Sequence, residues 1–257
     1  MLRPLLKTCM ARVPPLRRLL AQRDEARREV AVLEQRLAAR EARRDLGFVF
    51  VVAYGRSGST LVQGLLSSIP GYLVRGENGD ACYSLYRFHR GLEEARATQT
   101  KKRPLRARDP WFGIDGYPRE EALTRIRELI LSTVLRPRAG TRVVGFKEIR
   151  WWHEDWRDYL AFLREVFPGA RFVINTRNHR DVSASKWWAD NEDAPAMLDR
   201  LDTMLDEMAE ELAQDCYRVR YDEFVEDPGV LRGLFDWLGE PFDLAAVREV
   251  MDRKHSY

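Results

Sequence analysis

The stretch 48–68, FVFVVAYGRSGSTLVQGLLSS, constrains the fold more than any other part of the chain. Apolar residues Phe48 to Ala53 run straight into Tyr54, Gly55, Arg56, Ser57, Gly58, Ser59 and Thr60, after which Leu61, Leu65, Leu66 and Ile69 recur at helical spacing. The pattern predicts a buried strand, a tight loop and a helix. Such a loop leaves the first backbone N–H groups of the helix without intrahelical partners and converging on one spot. Its glycines let a ligand approach the main chain, its hydroxyls add donors, and the helix dipole favours negative charge. The segment reads as a cradle for a phosphate or sulfate. An ordinary tight turn has the same composition, so the rest of the chain must decide.

A nucleoside triphosphate loop requires G-x4-G-K-[ST], whereas here Gly58 is followed by Ser59 and the cation of the loop is Arg56. A chain of 257 residues, 45% hydrophobic and 32% charged, can bury one substantial core. We expect a globular domain over 46–257 and an appendage over 1–45. Cys9, Cys82 and Cys216 are widely spaced and odd in number, which suggests neither a disulfide framework nor a zinc site and fits a reducing cytoplasm. No apolar run approaches the roughly 18 residues of a membrane span, and prolines 4, 14 and 15 break any signal-peptide core. The net charge of +3 is uneven: residues 1–45 hold 12 Lys/Arg against 6 Asp/Glu, which leaves residues 46–257 with a net −3. The globular part is therefore no polyanion-binding surface, and nucleic acid is not expected as its partner.

From Leu16 to Arg40, the residues Leu16, Leu19, Arg23, Ala26, Val30, Leu33, Leu37 and Arg40 alternate at spacings of three and four. This is a heptad seam in a helix without internal glycine or proline. Residues 16–40 could join copies of the chain as a short coiled coil; two arginines and an alanine in the seam suit equally a solvated helix on its own domain. Residues 1–15 form a basic leader. Further along, strands are expected at 71–75, 141–147, 170–176 and 217–221, and helices at 77–92, 119–135, 154–167, 180–190, 195–214, 228–239 and 243–253. Residues 93–110 are polar and aperiodic, which predicts a mobile surface loop. Alternating strands and helices imply a mainly parallel sheet covered on both faces, with ligands at the carboxyl ends of its strands.

Arg177 follows the strand ARFVINT directly and Ser185 comes eight residues later, expected on a helix entered through residues 178–181. An arginine and a serine so placed can grip one phosphate from two sides. Together with the loop, the pattern resembles a known family. YGRSGSTL at 54–61 is similar to the 5′-phosphosulfate loop, and TRNHRDVSAS at 176–185 to the 3′-phosphate motif, of sulfotransferases that use 3′-phosphoadenosine 5′-phosphosulfate (PAPS). VRYDEFVEDP at 219–228 resembles the segment whose tyrosine, here Tyr221, lies near the adenine. His179 stands where the family often has proline.

The resemblance covers about residues 47–230. It implies a P-loop-like three-layer α/β fold, a mainly parallel central sheet flanked by helices, with the N-terminal helix added. It implies PAPS as co-substrate, held by Arg56, Ser57, Gly58, Ser59, Thr60, Arg177, Ser185 and Tyr221, and no metal. Arg56 would lie at the oxygen bridging phosphate and sulfate, where charge grows as the S–O bond breaks.

The acceptor hydroxyl needs a base. Glu77 lies 21 residues after Arg56, about where carbohydrate sulfotransferases resembling this chain place a catalytic glutamate. Phenol and steroid sulfotransferases use a histidine in a K-x-H segment; the corresponding stretch here has Lys147, Glu148 and Ile149, and isoleucine cannot be a base. Glu77 is therefore preferred over Glu148 and His153, its competing role being a salt bridge to Arg75 or Arg56. Lys147 would help stabilise the transferring sulfuryl group. Trp111, Trp151, Trp152, Trp156, Trp187 and Trp188 are candidates for stacking or for core. The terminal RKHSY either folds over the nucleotide or frays.

These residues point to a cytoplasmic sulfotransferase acting on a hydroxyl, with a carbohydrate or glycosylated small molecule as acceptor. The competing readings are a nucleotide-dependent kinase, which lacks its Walker lysine, and a non-catalytic nucleotide-binding scaffold.

Overall fold

The computed structural model describes residues 14–41, 45–101, 103–185 and 188–253, with side chains at 14–17 and 33–41 excepted. It forms two compact units that part between Leu46 and Gly47. In the first, helix α1 spans Pro14–Glu41. Proline is tolerated in its first turn, and the alanine, arginine, leucine and glutamate that follow are strong helix formers. Leu19 and Val30 of the predicted seam are 61% and 52% exposed, so this helix leaves apolar seam residues uncovered. The side chains of Leu16, Leu33, Leu37 and Arg40 lie outside the described residues. No described helix is long and apolar enough to cross a membrane.

The second unit alternates strand and helix: β1 Gly47–Ala53, α2 Ser59–Ser68, β2 Tyr72–Arg75, α3 Ala81–Gln99, α4 Arg119–Ile130, β3 Val143–Glu148, α5 Trp156–Val166, β4 Arg171–Thr176, α6 His179–Ser183, α7 Ala194–Leu212, β5 Cys216–Arg220, α8 Tyr221–Glu226, α9 Arg232–Leu238 and α10 Leu244–Met251. The five strands form one parallel sheet in the order β2-β3-β1-β4-β5. This is the expected three-layer α/β architecture.

β1 sits at the centre, and side chains alternate across it. Phe48 and Phe50 meet Phe146, Phe167 and Phe172 on one face. Val49 and Val51 join Leu61, Leu65, Leu66, Val173 and Leu234 on the other. Burial on both faces is why the strand reads as an unbroken apolar run. β3 approaches β1 closely at Gly145, where a Cβ would stand 1.5 Å from the carbonyl oxygen of Val49, so any side chain there would part the two strands.

The elements depart from expectation at both ends of α3, at α6 and at α8, a short helix that was not expected. Helix α3 begins at Ala81 rather than at 77, because Gly79 and Asp80 both take positive φ of 63° and turn the chain before helix can start. It then continues through Gln99, since the segment 93–99 is rich in glutamate, alanine and arginine and Glu94 accepts from Arg90 one turn earlier. The segment beyond it is bridged internally: Arg103 forks onto Asp109, whose carboxylate also accepts from the Arg106 amide. Finally, α6 has only five residues, so Ser185 lies past its end.

Candidate functional site

Between β1 and α2, residues 54–58 make a turn in which Arg56 has φ 71° and Gly58 φ 83°. Tyr54 anchors it. Its side chain is buried, and its hydroxyl donates to the carbonyl of Arg177 at 2.9 Å while accepting from the Arg177 amide at 3.0 Å. Burial pushes this phenol far above the usual tyrosine range, so it stays a neutral strap between the ends of β1 and β4. Asn175 donates to the Ser57 carbonyl at 2.8 Å, and the Trp188 indole to the Gly55 carbonyl at 2.9 Å. The hydroxyl of Ser57 turns inward to the Tyr54 carbonyl. That hydroxyl is thus engaged in shaping the loop, while Thr60 is partly exposed. Gly58 is required twice: its φ is left-handed, and a Cβ would sit 2.0 Å from the Tyr221 ring.

The second motif meets the first. Arg56 Nε donates to Ser185 Oγ at 2.9 Å, and Arg177 Nη1 donates to the carbonyl of Arg56 at 3.3 Å. The Arg177 guanidinium carbon stands over the Tyr221 ring, 4.5 Å from its centroid, with Asp181 3.7 Å from Nη2. Arg177 Nε is buried without a hydrogen-bond partner among the described residues. A buried guanidinium N–H left unpaired is costly, and an anion is its natural complement. Asn178 caps α6 by accepting from the Arg180 amide, and its own amide is held by Asp222. His179, in the position where proline was noted, packs its ring nitrogens against Asp199 and Asp202 and so tethers the turn to α7.

One strand away lies the other half of the crevice. Lys147, paired with Val51 in register, is buried at the carboxyl end of β3, and its Nζ stands 2.5 Å from Glu77 Oε1. Glu77 belongs to the loop after β2 and keeps 37% of its side chain exposed. It lines a polar cavity of about 480 Å³ with Gln63, Asn78 and Arg136. Its partner is therefore Lys147 and not Arg75, which turns instead to the carbonyls of Leu135 and Arg136.

The rival bases have other engagements. Glu148 is 3% exposed, and its carboxylate accepts from the amides of Asn78 at 3.1 Å and Ile149 at 2.8 Å. That geometry makes it the pin of the Glu77 loop. His153 stacks on Tyr83 at 3.4 Å between centroids and faces Asp80 at 3.6 Å. Burial raises the Asp80 carboxyl above the usual range, and His153 opposes that shift.

Of the tryptophans, Trp151 and Trp188 are fully buried while Trp111 and Trp152 are about half exposed. Trp187 and residues 254–257 lie outside the described residues. The anchoring roles of Tyr54, Asn175 and Trp188 were not foreseen. Tyr54 stood in plain view in the loop, but nothing in spacing alone says that its hydroxyl would reach Arg177, 123 residues on.

Residues 49–244 match the model of the sulfotransferase family. Among solved structures, a sulfotransferase domain from the Synechococcus PCC 7002 olefin synthase aligns at TM-score 0.51 and 18% identity over 82% of this chain and 79% of that one. The sulfotransferase domain from the curacin biosynthetic pathway aligns at TM-score 0.42 and 14% identity, over 82% and 79% of the two chains. Sulfotransferase STF9 from Mycobacterium avium gives TM-score 0.40 and 14% identity, over 80% and 67%. The first of these supports the fold; the other two are too distant to add to it. No curated protein sequence matches the chain.

Proposed function

Because the chain belongs to the sulfotransferase family, we propose that it moves a sulfuryl group from PAPS to the hydroxyl of a carbohydrate or glycosylated small molecule in the cytoplasm. The observation that carries the donor assignment is the convergence of two motifs far apart in sequence, with Arg56 bonded to Ser185 and Arg177 to the main chain of Arg56. Residues 56–60 would hold the 5′-phosphosulfate, Arg177 and Ser185 the 3′-phosphate, and Tyr221 the adenine side. The unpaired Arg177 Nε suits that ligand.

In the reaction, Glu77 takes the proton of the acceptor hydroxyl as its oxygen bonds to sulfur and the bond from sulfur to the phosphate oxygen breaks. The electron pair of that bond stays with the departing phosphate. Arg56 would meet this charge, and Lys147, which pairs with Glu77, would meet the sulfuryl oxygens while orienting that carboxylate. Fixed donors aimed at developing charge act mainly on rate.

Calorimetry with adenosine 3′,5′-bisphosphate, AMP and ATP, followed by transfer of labelled sulfate from PAPS to an alcohol panel, tests this reading. The bisphosphate should bind at least ten times more tightly than AMP, and labelled product should form. ATP binding in preference to the bisphosphate would favour a kinase, and tight bisphosphate binding without transfer to any alcohol would favour a scaffold.

We propose further that residues 16–40 join copies of the chain. The exposure of Leu19 and Val30 supports this. Removing residues 1–45 should lower the number of chains per sedimenting particle and leave turnover near its original value, since none of the proposed site residues lies there. An unchanged number of chains would assign the helix to its own chain.

A further inference from the structure

Two cavities open beside the crevice, and neither is accounted for by the donor. The first, of about 530 Å³, is walled by Trp152, Trp156, Trp188, Met197, Leu201 and Met204. Its size falls within the range of small-molecule sites, and its lining is mainly apolar, with His153, Glu154 and Arg200 as its polar members. The second, of about 540 Å³, is polar and contains Tyr83, Arg87, Arg90, Glu94 and Asp155. Trp152, His153 and Glu154 belong to both, so they form the partition between an apolar chamber and a polar one.

The position of this pair is as informative as its chemistry. Trp188, in the wall of the apolar chamber, is the residue whose indole holds the Gly55 carbonyl of the anion loop. His153, on the partition, faces Asp80 in the loop that carries Glu77. The chambers thus adjoin both halves of the crevice. Trp152 keeps 47% and Met197 36% of its surface exposed, so an apolar face is presented to whatever enters. A free sugar would bury few apolar atoms against three indoles and two thioethers, whereas an apolar body would gain from each one it covers.

We propose that the apolar chamber holds the body of the acceptor, and that the acceptor is an amphiphile: an alkyl or aromatic body in the tryptophan and methionine chamber, with its hydroxyl-bearing part directed past His153 toward the loop that carries Glu77. This rests on the sulfotransferase reading and narrows it, from glycosylated molecules in general to those with an apolar aglycone. Met197, Trp152 and Leu201 become specificity-determining residues.

The probes are methyl and hexyl β-glucoside, binding being followed by tryptophan fluorescence and calorimetry, and transfer by labelled PAPS. Each methylene removed from water can raise affinity up to about fourfold. The hexyl compound should therefore bind at least tenfold more tightly than the methyl one, with a correspondingly lower KM. Met197→Glu and Trp152→Ala alter partly exposed positions and should leave adenosine 3′,5′-bisphosphate affinity unchanged. Both should erase the hexyl preference, raising the KM of the hexyl compound to that of the methyl one.

Equal binding of the two glucosides, with transfer to both, would overturn the inference and leave the sulfotransferase reading intact. A hexyl preference without transfer to any alcohol would overturn that reading, and the acceptor role of the chamber with it. Absence of a hexyl preference together with a dimer that Met197→Glu dissociates would also overturn it, assigning the face to a second copy of the chain.

Discussion

Glu77→Gln is expected to lower turnover by about 100-fold or more, the usual contribution of a positioned base, while donor affinity stays near that of the parent. The amide keeps the shape of the carboxylate but cannot take the acceptor's proton. The structure adds a second consequence, because Glu77 is the partner of a buried ammonium at 2.5 Å. Removing one member of a fully buried ion pair costs about 3–5 kcal/mol. With 37% of the Glu77 side chain exposed, solvent screens Lys147 and the cost falls below that range. Stability alone is therefore a poor discriminator. The informative measurement is turnover beside donor affinity in Glu77→Gln and His153→Ala: loss of turnover at unchanged donor affinity in the first alone assigns the base to Glu77. Retained turnover in Glu77→Gln, with His153→Ala losing it instead, would move the role to His153. Glu148→Gln will not decide the matter, since Glu148 pins the amides of Asn78 and Ile149 and its loss disturbs the Glu77 loop.

Arg177→Ala is expected to weaken adenosine 3′,5′-bisphosphate by about 2–4 kcal/mol, the cost of deleting one partner of a buried hydrogen-bonded charge. AMP, which lacks the 3′-phosphate, should bind almost as before. Arg177 also supports the Arg56 carbonyl, but at 3.3 Å this bond is long, and Tyr54 and Asn175 independently hold the turn. Isothermal titration of both nucleotides into parent and variant checks it. Equal losses for the two would mean that Arg177 serves the loop rather than a phosphate.

Much of this architecture is legible in the sequence. The central strand announced itself because a strand covered on both faces must be apolar at every position, and the loop after it because glycine and hydroxyl residues crowd a strand-to-helix turn. All five strands were found within two residues of their ends, since each is bounded by polar or turn-forming residues. What stayed hidden depends on geometry that periodicity does not encode. The late start of α3 follows from left-handed backbone at Gly79 and Asp80. The ion pair of Glu77 with Lys147 needs β2 and β3 to be neighbours, a matter of sheet order. A buried glutamate such as Glu148 looks in sequence like any candidate base, and only its bonds to two amides reveal its work.

The hydrogen bond from Arg56 to Ser185 has a consequence for how a donor would be checked. A serine hydroxyl has one proton to give and lone pairs to receive. At Ser185 a lone pair accepts from Arg56 Nε, so the proton remains for an anion on the far side. Such an anion would lock the hydroxyl rotor, and the locked rotor would set a guanidinium 129 residues earlier in the chain. The far end of the nucleotide and the breaking bond are then read through one shared atom. On the proposed donor reading, a nucleotide without its 3′-phosphate would forfeit more than grip: it would leave the Arg56 guanidinium unset, and discrimination against it would be exerted a second time, in the rate.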